Sequence, residues 1–177
     1  MAEKCDYSVT EAEAAVLDAA AADASAAAGA SGGAIGGAIG GRIGAGPAGA
    51  VGGAAGGGKG GALGGRFGAR FLRPVTAQST VEVACGPDTV RERARALIAA
   101  SGEVIEDPNQ SGDGSVWGIV GSGAMDVAPA LVRIQAEAAG QADSRVHIRA
   151  TGKEGLIKQK IGAKAADRLA EEISRSR

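Results

Sequence analysis

The chain has 177 residues, room for one ordinary domain and an appendage, and it carries 31 glycines against two phenylalanines, one tyrosine and one tryptophan. Its formal net charge of −1 lacks the basic excess that a nucleic-acid backbone selects, so no nucleic-acid partner is expected. Two cysteines, Cys5 and Cys85, are too few for a disulfide framework and fit a reducing compartment.

That small net charge conceals three blocks. Residues 1–31 carry six acids and one base, residues 32–71 four bases and no acid, and residues 72–177 fourteen of each. Three segments follow: an acidic, Ala-rich lead over 1–25, a Gly-rich repeat over 26–72 and an α+β domain over 75–177. Met1 to Thr10 shows no basic start followed by an apolar core, so no secretion signal is expected there. Residues 9–28 are dominated by Ala, with Thr10 placed to cap a helix and Glu11 and Glu13 in its first turn. Beyond Val16 and Leu17 this helix has little bulk, and it reads as a solvated lead into the repeat.

Residues 32–71 form ten consecutive tetrads, from GGAI, GGAI, GGRI through GAGP to GGAL, GGRF, GARF. Two glycine rows run at spacing four, one through Gly32, Gly36, Gly40 and Gly44 and the other through Gly33, Gly37 and Gly41, while Ile35, Ile39, Ile43, Val51, Leu63, Phe67 and Phe71 recur at the tetrad ends. On a helix a period of four stays on one face over three or four tetrads, drifting roughly 40° per tetrad. Each interior Gly costs about 1 kcal/mol of helix propensity relative to Ala, so packing must hold such a helix. Pro47 in the odd tetrad marks a break between two arms, which predicts a helical hairpin.

These rows resemble the glycine-zipper two-helix segments of bacterial envelope and membrane proteins, over residues 26–72 only. The resemblance implies close helix packing through Gly33, Gly37, Gly41, Gly53, Gly57 and Gly61, and membrane lipid or a second copy of the chain as partner. Arg42 and Lys59 would each cost roughly 2.5–3.5 kcal/mol at a bilayer centre, where an Ile returns only about 0.3–0.6. Self-association or an interfacial position is therefore expected rather than simple insertion. Arg66, Arg70 and Arg73 near the end of the hairpin place both its ends on the cytoplasmic side, so the expected site is the cytoplasmic membrane with the C-terminal domain facing the cytoplasm, a wholly cytoplasmic chain being the alternative.

After Pro74 the patterning becomes ordinary. Val81, Val83 and Cys85 predict a strand over Thr80 to Cys85, and Asp88 opens a helix to Ala100 with Val90, Ala94, Leu97 and Ile98 as its apolar stripe. Short strands follow at Glu103 to Glu106 and Ser115 to Val120, separated by the turn-rich DPNQSGDG. Val132, Ile134 and Ala136 alternate with Arg133, Gln135 and Glu137, and Val146 and Ile148 with Arg145, His147 and Arg149. Short connections imply an antiparallel meander, and a last helix from Ile161 to Ser174 covers its apolar face. Strand, helix, four strands, helix is an α+β arrangement, similar in topology to a TATA-binding-type half-domain.

No catalytic constellation stands out, and neither enzyme chemistry nor a cofactor or metal is expected. Gly53 to Gly60 matches a phosphate-binding loop except that Gly60 replaces the Mg²⁺-holding Ser or Thr, and the tetrad repeat already explains its glycines. Asp107, Asn109, Ser111 and Gly112 occupy calcium-loop positions, yet the twelfth is Gly118 rather than a bidentate Glu. His147 is the single histidine. With Trp117 on the same sheet face as Arg133, His147 and Arg149, an aromatic platform would sit beside basic groups and suit an anionic ligand or partner; with Trp117 in the core, it would not. The expectation is a non-enzymatic membrane-associated or self-assembling protein whose hairpin presents a small α+β domain. The alternative is a soluble ligand-binding or interaction module with a disordered Gly-rich arm, its small ligand unknown.

Overall fold

The computed structural model describes residues 8–69, 71–122, 128–140, 142–155 and 159–175, with residues 44–48 described by their backbone alone. Cys5, Tyr7 and Arg70 lie outside the described residues. In chain order the elements are α1 (Glu11–Ala69), β1 (Arg73–Val83), α2 (Pro87–Ser101), β2 (Gly102–Ile105), β3 (Val116–Ser122), β4 (Ala128–Ala138), β5 (Ser144–Glu154) and α3 (Ile161–Arg175). The strands form one antiparallel sheet in the order β1-β5-β4-β3-β2, which makes the fold α+β with a helical hairpin ahead of the sheet. The chain divides into two compact units, Met1–Leu17 with Arg73–Arg177 and Asp18–Leu72.

In the second unit α1 folds back on itself between Gly41 and Gly49. The two arms touch backbone to backbone: a Cβ on Gly29, Gly33, Gly37 or Gly41 would lie 2.0 to 2.1 Å from the carbonyl oxygen of Gly61, Gly57, Gly53 or Gly49 respectively. No side chain fits there, so Gly is required by contact, and the close approach offsets the low helix propensity of the arms. Gly32, Gly36, Gly40, Gly52, Gly56, Gly60 and Gly64 face open space. The apolar tetrad ends also point outward, from Ile39 at 59% exposed to Ile43 at 84%.

In the first unit α2 and α3 cover one face of the sheet. Val90, Ala94 and Ile98 of α2 and Ile161, Ala165, Leu169 and Ile173 of α3 close a core with Val116, Val120, Val132, Ile134, Ala136, Val146 and Ile148, the inward set that strand alternation predicts. Gly162 lets the first turn of α3 settle on the sheet, since a Cβ there would meet Ala150 O at 2.7 Å. β1 begins seven residues before the predicted Thr80 and ends at Val83 rather than Cys85. Its first part, Arg73 to Thr80, pairs only with β5 and offers only the small or exposed apolar residues Val75 and Ala77 between Thr76, Gln78 and Ser79, so its alternation is too faint to distinguish this edge strand from a domain boundary in the sequence. Pro74 is tolerated because an edge strand leaves one side of its backbone unpaired.

The lead helix departs from expectation. Instead of a solvated face, Glu13 and Leu17 at the start of α1 are 1% and 0% exposed, and they belong to the unit that contains the sheet.

Candidate functional site

Sheet register assembles the predicted residues. Gln78 pairs with Arg149, Arg149 with Arg133, Arg133 with Trp117 and Trp117 with Ile105, a single cross-strand row over all five strands. Thr80, His147 and Gln135 form a neighbouring row on the same face. Trp117, Arg133, His147 and Arg149 thus share the face opposite α2 and α3. The Arg133 guanidinium carbon lies 5.4 Å from the Trp117 ring centre, within cation–π range. Trp117 is nonetheless buried, at 3% exposed, because Leu17 packs on it together with Leu131, flanked by Val16, Ile105 and Ile119.

The start of α1 reaches this face by local rules. Thr10 Oγ1 accepts the Glu13 N–H at 3.2 Å while Glu13 Oε2 accepts the Thr10 N–H at 3.3 Å, a reciprocal capping box that fixes the Glu13 side chain at the helix entry. The same carboxylate accepts two bonds from Arg149, at 3.2 and 2.5 Å, and one from Asn109 Nδ2 at 2.9 Å. Thr10 Oγ1 also donates to Asn109 Oδ1 at 2.7 Å. A buried carboxylate is tolerated only when its lone pairs are filled in this way. The indole Nε1 of Trp117 has no hydrogen-bond partner among the described residues.

The DPNQSGDG turn is built to present Asn109. The Asp107 carboxylate accepts from the N–H groups of Asn109 and Ser111 and from the Ser111 hydroxyl, and Gln110, Gly112 and Gly114 take positive φ. Burial alone would raise the Asp107 pKa, but the Ser111 hydroxyl and the two N–H groups outweigh it and hold it below the usual value. These donors occupy the oxygens that a calcium loop would offer, and among the described residues no cluster of His, Cys, Asp and Glu could hold a metal. Asp113 behaves similarly: burial pushes its pKa up, while the Ser115 hydroxyl and N–H and the Arg133 guanidinium bring it down to about 2.

The basic face is therefore electrically filled. Arg133 is paired with Asp113, Arg149 with Glu13, and Arg145 with Glu82 at 2.9 Å. An anionic ligand there would have to displace a carboxylate. Beside these pairs lies a concavity of about 260 Å³ lined by Gln78, Thr80, Gln135, Glu137 and His147. His147 is about half exposed, with Nδ1 3.3 Å from Thr80 Oγ1 and Nε2 4.0 Å from Glu137 Oε2. Ser79 also lines this concavity, and Thr80 is the hydroxyl in contact with the imidazole.

Gly33, Gly37, Gly41, Gly53, Gly57 and Gly61 all lie in the inter-arm contact described above, and the phosphate-loop match at Gly53 to Gly60 falls inside helix α1 with no preceding strand. Sequence reasoning does not find Glu13, Leu17 and Asn109 as site residues. The spacing Thr10-x-x-Glu13 and the two bulky residues Val16 and Leu17 in an Ala run are the only sequence signals for the first two, and Asn109 stands out only as a calcium-loop position. No protein-family model matches the sequence, and no curated protein compared with it is significantly similar.

Proposed function

We propose that the protein is a non-enzymatic surface-associating protein in which the α1 hairpin lies against membrane lipid and presents the sheet domain to the aqueous phase. The observation that carries this reading is the exposed apolar row of α1. Ile35, Ile39, Ile43, Val51, Leu63, Phe67 and Phe71 are 59–84% exposed, with Phe67 and Phe71 edge to face at 5.3 Å. Exposed apolar residues scattered singly need no explanation, but a repeat that places them along both arms of one hairpin does. Among the described residues no helix is long and apolar enough to cross a membrane. The position that fits is interfacial, with Arg42 and Lys59 available to anionic headgroups and Arg66 3.6 Å from Asp23.

Flotation of the full chain with neutral and anionic vesicles tests this. Co-flotation is expected, stronger with anionic lipid, and Ile39→Asp or Leu63→Asp should each weaken it about ten- to a hundred-fold, the loss of one buried apolar side chain at about 1.5–3 kcal/mol. A chain that stays with neither vesicle type would remove the reading. A soluble polar-ligand module is the second reading, favoured by the concavity around Gln78, Gln135 and His147.

A further inference from the structure

We infer that the Trp117 face is a helix-binding site whose occupant is supplied by a second copy of this chain: two chains exchange the starts of their α1 helices and pair their glycine rows in trans. Three observations carry this. The occupant, through Thr10, Glu13 and Leu17, fits by charge and shape, with Glu13 on Arg149 and Asn109 and Leu17 on Trp117 and Leu131. It is joined to the rest of its unit only through Asp18–Leu72, a detour the length of the whole hairpin. And the arm pairs 29 with 61, 33 with 57, 37 with 53 and 41 with 49 are all centred on residue 45.

A register with one centre has a consequence for dimers. If α1 straightens, two such helices laid antiparallel about a two-fold axis at residue 45 restore every glycine contact, with each partner residue now on the other chain. A straight α1 of 59 residues is about 90 Å long, too long for its start to return to its own sheet, so residues 8–17 must dock on the partner's. The exchanged form keeps the Glu13–Arg149 and Leu17–Trp117 contacts and gives up only the reversal. That reversal is confined to the few residues between Gly41 and Gly49, and short hinges invite exchange. Pro47 opposes it, since proline disfavours an uninterrupted helix, and so sets the balance between the two forms. Lipid has no part in this exchange.

The test uses the full chain with reversed charges. In E13R alone or R149E alone the buried pair becomes like-charged, the helix start is released, and the emission of Trp117, the single tryptophan, shifts to the red. When the two variants are refolded together at equal amounts, the arginine introduced by E13R on one chain can meet the glutamate introduced by R149E on the other. The native Glu13 and Arg149 that remain, one on each chain, can meet in the same way, so both sites are matched only if the contact is made in trans. The expected result is a species of twice 17.2 kDa in the wild type, its fraction growing with concentration, and in the mixture, with wild-type emission recovered in the mixture. The double variant E13R/R149E in one chain is the control that the reversed pair can be accommodated. A single-chain mass for the wild type at every concentration overturns the inference, as does a mixture that emits as the average of its parts while the double variant recovers. Should the charge variants fail to fold, Pro47→Ala decides: the dimer fraction rises if α1 opens at the hinge, and an unchanged fraction overturns the exchange.

Discussion

Two carboxylates on the sheet face show how differently an ion pair can be built. Glu13 is sealed from water, and its cost of desolvation is met by the Arg149 fork, Asn109 and its own helix start. Removing one partner of such a pair costs about 3–5 kcal/mol, because the other charge stays buried without compensation. Asp113 lies nearer solvent, and its effect is read through pH rather than burial. Its folded pKa of about 2 is below the ordinary value of 3.8, so the folded state binds fewer protons through that interval and stability rises with pH there. The contribution is complete above about pH 5 and is lost as pH falls from about 4 to 2. Urea unfolding of the wild type and Asp113→Asn across pH 2 to 6 should therefore give a difference that is constant at the upper end and vanishes at the lower. A difference independent of pH would mean that the Ser115 and Arg133 bonds do not hold the carboxylate ionised. At this scale the sequence disclosed little: alternation put Arg133, His147 and Arg149 on one face, but no pattern within a helix can announce a partner 136 residues away, as Glu13 and Arg149 are.

Between elements, the decisive quantity is the distance of closest approach. Helix α1 has two glycine rows with the same spacing and similar neighbours, yet a Cβ at Gly37 would strike Gly53 O at 2.0 Å whereas a Cβ at Gly36 meets nothing within 4 Å. Sequence periodicity made both rows visible and named Gly33, Gly37 and Gly41, but the choice between rows depends on how the arms face each other. Opposite effects of one substitution follow. Gly36→Ala gains about 1 kcal/mol of helix propensity at an open position and should raise thermal stability, while Gly37→Ala gains the same propensity but drives the arms apart and should lower it. Circular dichroism melts of the two variants check this, and equal shifts would show that the close backbone contact is not present in solution. The strands tell the same story in reverse. β4 and β5 were legible because Val132, Ile134, Val146 and Ile148 alternate cleanly against a core on one side, whereas β1 starts with RPVTAQST, in which only Val75, 43% exposed, and the small Ala77 mark the apolar face. Edge strands with one partner lack the burial contrast that makes alternation readable.

Taken whole, the chain separates its stabilities. Every residue of the main core, from Val83 to Ile173, belongs to the sheet and to α2 and α3, and none to α1. The small cluster on the opposite face, by contrast, needs Leu17. A chain of residues 73–177 should therefore fold cooperatively by itself, starting at Arg73 rather than Val75 because the β1 pairing with Glu154 and Lys153 begins there. It should still pay for the missing cover. Loss of the Leu17 contact is worth about 1.5–3 kcal/mol, while Arg149, left without Glu13, regains water instead of remaining a buried charge. At about 4–8 °C per kcal/mol for a domain of this size, the melting temperature should fall by roughly 6–24 °C relative to the sheet unit in the full chain. The emission of Trp117 should shift to the red at temperatures well below the transition, since its covering side chain is gone while its strand remains paired on both sides through Ile105 and Arg133. A scanning melt followed by tryptophan emission and by far-ultraviolet dichroism separates the possibilities: loss of any cooperative transition would show that the start of α1 completes the core, and an unshifted emission would show that Leu17 does not cover the indole in solution.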